Sequence, residues 1–307
     1  MKDKEAIVKV LKKIPLKNVD IDNLIKGALI LEGGAFRAVY QEGVLDCLLE
    51  NGILFEATVG VSAGALNGVN YVTGQVGRSA HINIGFRHDG KYVGINAFIK
   101  SHRKGFVNLD YAFSKLPNIP DLRMDLLKDN KRKFVAVATS LETGKACYFD
   151  NSREDILDCV KASASLPYLS KPVIIDNKPY LDGGCDDRIP YRWALKNGYK
   201  KIVIIRTRDK RFRNKPNYDR RYGITKKWYS DYPNFAYNLA RTDEDYNEVC
   251  NLLEEYEDDG DVFIIYPSRP IEIRMLEKNI DKLGETYFLG YNDCLNQLDK
   301  LKEYLNK

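Results

Sequence analysis

Short, unbroken apolar runs alternate along this chain with longer segments in which apolar residues recur every three or four positions. Gly27-Ala28-Leu29-Ile30-Leu31 has no polar side, which is the pattern of a strand buried on both faces. It ends in Glu32-Gly33-Gly34. Val44, Leu45, Leu48 and Leu49 then give one stripe of a helix that Asn51-Gly52 is placed to stop. Ala57 to Val61 repeats the strand pattern, and the small residues from Ala63 to about Gly74 read as a second helix. Strand, helix, strand, helix implies parallel pairing through right-handed crossovers. Ahead of this unit, Ile7, Val8, Val10, Leu11 and Ile14 fall at helical spacing before Pro15. Val19, Ile21, Leu24 and Ile25 follow, so residues 1–26 read as an N-terminal helical arm.

Between about 79 and 130 the periodicity breaks down. Phe86, Tyr92, Phe98, Phe106, Tyr111 and Phe113 stand among polar residues, with Pro117 and Pro120, as expected of an inserted cap or pocket wall. Strand patterns return at Phe134 to Thr139 and at Ala146 to Phe149, and a helix is expected from about Arg153 to Ala164. Val173-Ile174-Ile175 and Tyr180-Leu181 make a hairpin around Asp176-Asn177-Lys178-Pro179. Ile202 to Ile205 and Val262 to Tyr266 are further strands, about 234 to 257 is helical, and the chain ends in a helix. The expected architecture is a three-layer α/β/α domain over 27–307 with a mostly parallel central sheet.

Composition changes this picture little. With 307 residues, 44% of them hydrophobic, the chain can bury one sizeable core. No linker, low-complexity segment or repeat divides it. The six cysteines are scattered without a C-x-x-C pair, and the first residues, Met1-Lys2-Asp3-Lys4-Glu5, lack the apolar core of a signal peptide. A cytoplasmic location is therefore expected. No apolar run approaches the ~20 residues that span a bilayer, so a membrane role would be peripheral. The net charge of +5 implies no partner by itself. Residues 206–228 are nevertheless dense in Arg and Lys, with Phe212, Tyr218, Tyr222 and Trp228 between them. Such a stretch is most simply a solvated loop, but it also suits an anionic membrane surface. No nucleic acid partner is expected.

The chemistry centres on Gly60-Val61-Ser62-Ala63-Gly64, a nucleophile elbow with the strand before it and the helix after it that this motif requires. Ser62 is the candidate nucleophile. The familiar order of serine, acid and late histidine is unavailable, because the only histidines are His81, His88 and His102. The base is therefore one of these in an unusual order or a carboxylate acting directly. Asp182 leads, since it ends a strand and is followed by two glycines; Asp186 and Asp187 lie beyond that turn, where facing a helix start or pairing with Arg188 is expected. Gly33-Gly34-Ala35-Phe36-Arg37-Ala38 supplies backbone N–H groups at a helix N-terminus, an arrangement that suits an anion. Beside a serine elbow an oxyanion hole is the better reading. The run lacks the G-K-S/T of a phosphate-binding P-loop and the spacing of a dinucleotide fingerprint. No cofactor or metal is expected.

Glu32-Gly33-Gly34-Ala35-Phe36-Arg37-Ala38, the Ser62 elbow and Asp182-Gly183-Gly184, in this order, resemble the motifs of the patatin-like phospholipases, bacterial branch. Gly74 to Ser79, Ala162 to Pro167 and Tyr266 to Pro270 look similar too. The resemblance implies lipid acyl hydrolysis, of phospholipase A or lysophospholipase type, on a Ser62/Asp182 dyad. It also implies that the amides of Gly33, Gly34 and Ala35 hold the oxyanion and that Arg37 is an anion binder or a structural anchor. Alanine stands at 35 and 38 where the family pattern has glycine, and a non-catalytic lipid or acyl-ligand binder is the alternative this departure suggests.

Overall fold

A computed structural model of the chain describes residues 2–93, 107–129 and 131–306. In chain order the elements are α1 (Lys2–Leu11), β1 (Lys17–Asn18), β2 (Ile25–Leu31), α2 (Val39–Glu50), β3 (Phe55–Val61), α3 (Ala63–Val72), β4 (Gln75–Val76) and α4 (Arg78–Gly85). Two single turns follow, α5 (Leu109–Ala112) and α6 (Met124–Leu127), then β5 (Lys133–Ser140), β6 (Ala146–Asp150), α7 (Ile156–Ser163), β7 (Val173–Ile175), β8 (Lys178–Asp182) and α8 (Tyr191–Lys196). The chain closes with β9 (Ile202–Ile205), α9 (Tyr218–Trp228), α10 (Pro233–Asp258), β10 (Val262–Ile265) and α11 (Ile280–Asn306).

The main sheet runs β10-β9-β2-β3-β5-β8-β7, with β6 paired to β5 as its eighth strand. From β10 to β5 every pairing is parallel, and β6, β7 and β8 are antiparallel to their neighbours. Alternate side chains of β2 supply opposite faces. Leu29 and Leu31 pack with Leu45, Leu48, Val69 and Leu301 from α2, α3 and α11, whereas Ala28 and Ile30 pack with Ala194, Tyr246 and Leu253 from α8 and α10. The three-layer α/β/α expectation holds for this reason: each central strand is apolar on both sides because helices cover both.

The N-terminal segment is helical only as far as Leu11. Beyond Pro15 the chain is extended, β1 pairs antiparallel with β4, and the Val19 N–H donates to the Gly74 carbonyl. Backbone partners outside the segment thus replace the intrahelical ones its apolar spacing suggests. Phe98, Phe106 and His102 lie outside the described residues.

The arrangement that matters most for chemistry is on β5. Strand β3 pairs with residues 133–137 and β6 with 135–139, so these two occupy opposite edges. Strand β8 pairs with 138–140, sharing residues with β6, and therefore lies on the edge that β3 occupies. β3 and β8 meet end-on along that edge. Val61 stands opposite Val137 and Asp182 opposite Ala138, which brings the residue after β3 to the last residue of β8.

Candidate active site

Ser62 leaves β3 with φ 57° and ψ −126°, a conformation that non-glycine residues rarely adopt and that costs on the order of 1–3 kcal/mol. The elbow can close this tightly because its glycines have no Cβ: one added at Gly60 would lie 2.6 Å from the Ala65 backbone, and one at Gly64 would lie 2.6 Å from the Leu31 carbonyl oxygen. Ser62 Oγ donates to Asp182 Oδ2 at 2.6 Å, and the Ser62 N–H donates to Ser163 Oγ at 2.8 Å. Asp182 is held in turn. Its Oδ1 accepts from the Gly184 N–H at 2.8 Å, its own N–H donates to the Ser165 carbonyl, and Thr139 Oγ1 donates to its carbonyl.

Both side chains are buried. Burial raises the Asp182 carboxyl to about 6, opposed by the hydrogen bonds from Ser62 and Gly184 and by the charge of Arg188. Direct contact between serine and aspartate leaves no room for an imidazole between them. Nor are the described histidines near: His81 Nε2 contacts the Ile14 carbonyl, and His88 lies beside Asp3. Asp186 accepts from the Ala146 N–H and pairs with Lys145, while Asp187 accepts from the Tyr148 hydroxyl. Neither pairs with Arg188, which reaches Asp243 and Thr242 on α10 instead; the antiparallel strand β6, unpredictable as a partner from local sequence, has taken both acids.

The loop after β2 backs directly onto Ser62, since a Cβ on Gly33 would sit 3.2 Å from the serine Cβ. Its start is pinned by buried Glu32, which pairs with Arg206 at 3.1 Å and accepts from the Tyr246 hydroxyl at 2.6 Å and from Thr207. Ala35 adopts φ 47°, whereas Ala38 is ordinary right-handed backbone at φ −69°. The Phe36 and Arg37 N–H groups are consumed by the Met275 and Gly34 carbonyls. Among the described residues those of Gly33, Gly34 and Ala35 meet no acceptor.

Ser62 opens into two compartments. One, of about 370 Å³, is lined by Asp182, the 33–35 loop and four arginines, Arg37, Arg188, Arg208 and Arg221, with Asp243 among them. Arg37 is half-buried with no partner at Nε among the described residues, and burial together with neighbouring Arg208 lowers it to about 10. The second, of about 70 Å³, is bounded by Ala35, Phe36, Leu66, Val107, Leu109, Leu166 and Leu276. Several of these side chains also bound a neighbouring cavity of about 380 Å³ that extends to Val173 and Ile174. No group of three or more His, Cys, Asp or Glu side chains converges as a metal site among the described residues.

The profile of the patatin-like phospholipases matches residues 29–195, more than half of the chain. The chain belongs to this family. A second profile, a domain of unknown function (DUF6363), matches residues 232–306, the segment of α10, β10 and α11. YjjU of Escherichia coli (strain K12), described as uncharacterized, is 27% identical over 270 residues, which are 86% of this chain and 74% of YjjU. Among solved structures, the crystal structure of VipD from Legionella pneumophila aligns with a TM-score of 0.42 at 13% identity, over 94% of this chain and 70% of that one. As a patatin-like protein, the chain belongs among lipid acyl hydrolases.

The fold brings Ser62, Asp182, the 33–35 loop and Arg37 together around one compartment. Sequence reasoning passed over Ser163, although it lies in the Ala162 to Pro167 stretch that resembles the family, and it assigned Arg188 to Asp186 or Asp187, whereas the turn after Asp182 brings it to the site.

Proposed function

We propose that this patatin-like protein cleaves carboxylic ester bonds of lipids through an acyl-enzyme on Ser62, with Asp182 as the base. The observation that carries this reading is the 2.6 Å contact from Ser62 Oγ to Asp182 Oδ2, made by a serine held at φ 57°. Ser62 Oγ attacks the ester carbonyl carbon and its proton passes to Asp182. The carbonyl oxygen, now an anion, accepts from the free amides of the 33–35 loop. Collapse expels the alcohol, which takes the proton back from Asp182. Water, deprotonated by Asp182, then attacks the acyl carbonyl, and Asp182 returns the proton to Ser62 Oγ as the carboxylic acid leaves.

An aspartate with an ordinary pKa near ~3.9 would be a feeble base at neutral pH. Raised to about 6 it is still ionised at pH 7, yet far closer to the optimum. The acyl chain suits the apolar compartment, and the arginine-lined one suits an anionic headgroup, which favours a phospholipase A or lysophospholipase type of substrate. The non-catalytic alternative drew on Ala35 and Ala38. It loses force because Ala38 is unstrained and Ala35 sits at the left-handed φ that glycine would take.

The test is labelling by a fluorophosphonate probe, together with turnover of phospholipids, monoacyl lipids and short-chain nitrophenyl esters. Labelling and turnover are expected for the parent protein and absent from Ser62→Ala. A folded, cleanly purified Ser62→Ala protein that still turns over would remove Ser62 as nucleophile.

A further inference from the structure

The basic stretch from 206 to 228 divides into two sets in the fold. Arg206 pairs with Glu32, Lys210 with Glu257, Arg213 with Glu254 and Arg221 with Asp243, all within the chain. Helix α9 carries Arg220, Lys226 and Lys227 as well as Arg221. Arg220, Ile224, Lys227 and Trp228 stand at i, i+4, i+7 and i+8 and so share one face. Among the described residues no carboxylate lies within ion-pair distance of Arg220 or Lys227. Ile224 is 47% exposed and Trp228 63%, the latter the most exposed large hydrophobic side chain described.

The inner side of α9 is anchored: Thr225 is buried with its hydroxyl on the Ala236 carbonyl, and Arg221, at the border with the exposed strip, reaches Asp243 and the Leu239 carbonyl. Arg221 also lines the Ser62 compartment, so one helix supplies both a wall of the cavity and the outer surface beside it. The apolar strip continues to the cavity's rim. Tyr168, 38% exposed, meets Trp228 edge-on at 5.6 Å and lines the same compartment, and its N–H donates to the Tyr229 hydroxyl.

We propose that the outer face of α9, with Tyr168, is the surface by which this protein docks on an anionic lipid bilayer, placing the mouth of the Ser62 compartment against the membrane. The orientation rests on the lipid-ester reading of Ser62. Three features select this occupant. Charge is complementary: with Arg221 spent on Asp243, α9 still carries three basic residues and one acidic. Indole and phenol rings favour the depth of the headgroups, where an apolar body and a polar tip are both satisfied. Unpaired lysine beside exposed apolar side chains suits lipid phosphates better than a protein interface, whose centre is depleted in lysine.

The experiment separates docking from catalysis by measuring binding on the full chain carrying Ser62→Ala. Sedimentation with phosphatidylglycerol vesicles is expected to exceed that with phosphatidylcholine vesicles and to fall with salt. Replacing Ile224 and Trp228 together by serine should lower partitioning at least about tenfold, and Arg220→Gln with Lys227→Gln about fivefold per charge on phosphatidylglycerol alone. With Trp193→Phe added, Trp228 is the only indole of the two in the chain, and its emission should shift to the blue on vesicle addition. With Ser62 intact, the Ile224/Trp228 variant should turn over a soluble short-chain ester within about twofold of the parent while losing activity on vesicles.

A folded parent that ignores phosphatidylglycerol vesicles would overturn the proposal and hand the strip to a protein partner. Undiminished binding by the Ile224/Trp228 variant would overturn it equally. A protein that docks as described yet turns over no ester leaves the docking face standing and sinks the hydrolase reading instead.

Discussion

Two groups of buried carboxyls, one at the ends of the strands and one inside α2, behave differently. Burial pushes Asp182 to about 6, Asp46 to about 7 and Glu42 to about 8. The order follows the company each keeps. Asp182 accepts from Ser62 and Gly184 and feels the Arg188 guanidinium. Asp46 accepts from the Gly77 N–H and the Tyr287 hydroxyl but feels the negative charge of Glu50. Glu42 has the Asn83 amide on one oxygen, no partner on Oε2 among the described residues and the charge of Asp46 nearby. Glu42, with one donor and a negative neighbour, is thus held mostly neutral at pH 7, whereas Asp182, with two donors and a nearby cation, is mostly ionised and basic.

The largest break in this comparison is expected from exchanging each acid for its amide. Asp182→Asn keeps the shape and an acceptor for Ser62 but cannot take the proton, so kcat/KM on a short-chain ester should fall about 10³- to 10⁴-fold. Glu42→Gln should stay within a few-fold, because Glu42 transfers no proton in the reaction. Equal losses in two folded proteins would erase the distinction.

Stability should report the other side. An acid whose folded pKa lies above its unfolded value contributes stability that is fully present below the unfolded pKa and is lost as pH rises through the folded one. For Glu42 that window runs from 4.5 to about 8, and for Asp46 from 3.8 to about 7. Urea unfolding should therefore show the parent losing stability between pH 5 and 8. Glu42→Gln should remove on the order of a few kcal/mol of that slope. A slope unchanged by the substitution would mean that Glu42 is ionised in the fold.

A smaller effect concerns what holds Asp182 near 6. Activity should rise with pH through about 6 as the carboxyl ionises. Arg188→Gln removes a neighbouring positive charge and should move the inflection of kcat/KM upward by less than about one pH unit. A downward shift would show that Arg188 acts on substrate rather than on Asp182.

The strand-end site was legible because each part has a local signature: apolar run, turn, small residues. Even the meeting of Ser62 with Asp182, residues 120 positions apart, is implied once both are read as strand ends. The α2 acids were illegible for the opposite reason. Leu45, Leu48 and Leu49 mark one apolar stripe, and Glu42 and Asp46 look like its flank toward solvent. They are buried because other helices lie on that side: Asn83 of α4 reaches Glu42, Tyr287 of α11 reaches Asp46, and α11 packs so closely that a Cβ on Gly43 would meet the Tyr287 carbonyl oxygen at 2.0 Å. The basic stretch misled similarly. Its arginines look equivalent along the chain, and only the positions of Glu32, Asp243 and Glu254 decide which are spent inside the fold.

The smallest expected effect, and the finest probe of the site, lies at Ala35. Its φ of 47° is left-handed backbone, which costs an L-residue with a Cβ roughly 1–2 kcal/mol. Glycine removes that cost but loses about 0.5–1 kcal/mol through the freedom it gains in the unfolded chain. Ala35→Gly should therefore raise stability by about 1 kcal/mol or less, read as a small increase in urea midpoint at unchanged slope. Because Ala35 already holds the required φ, its amide needs no rearrangement and kcat should change less than about threefold. A tenfold rise in kcat at constant KM would show that the alanine keeps an amide away from the oxyanion, since only the transition state carries that charge. Ala35→Pro is the weaker probe: it deletes the N–H but also forces φ to about −65°, so any loss would mix a missing donor with a rebuilt loop.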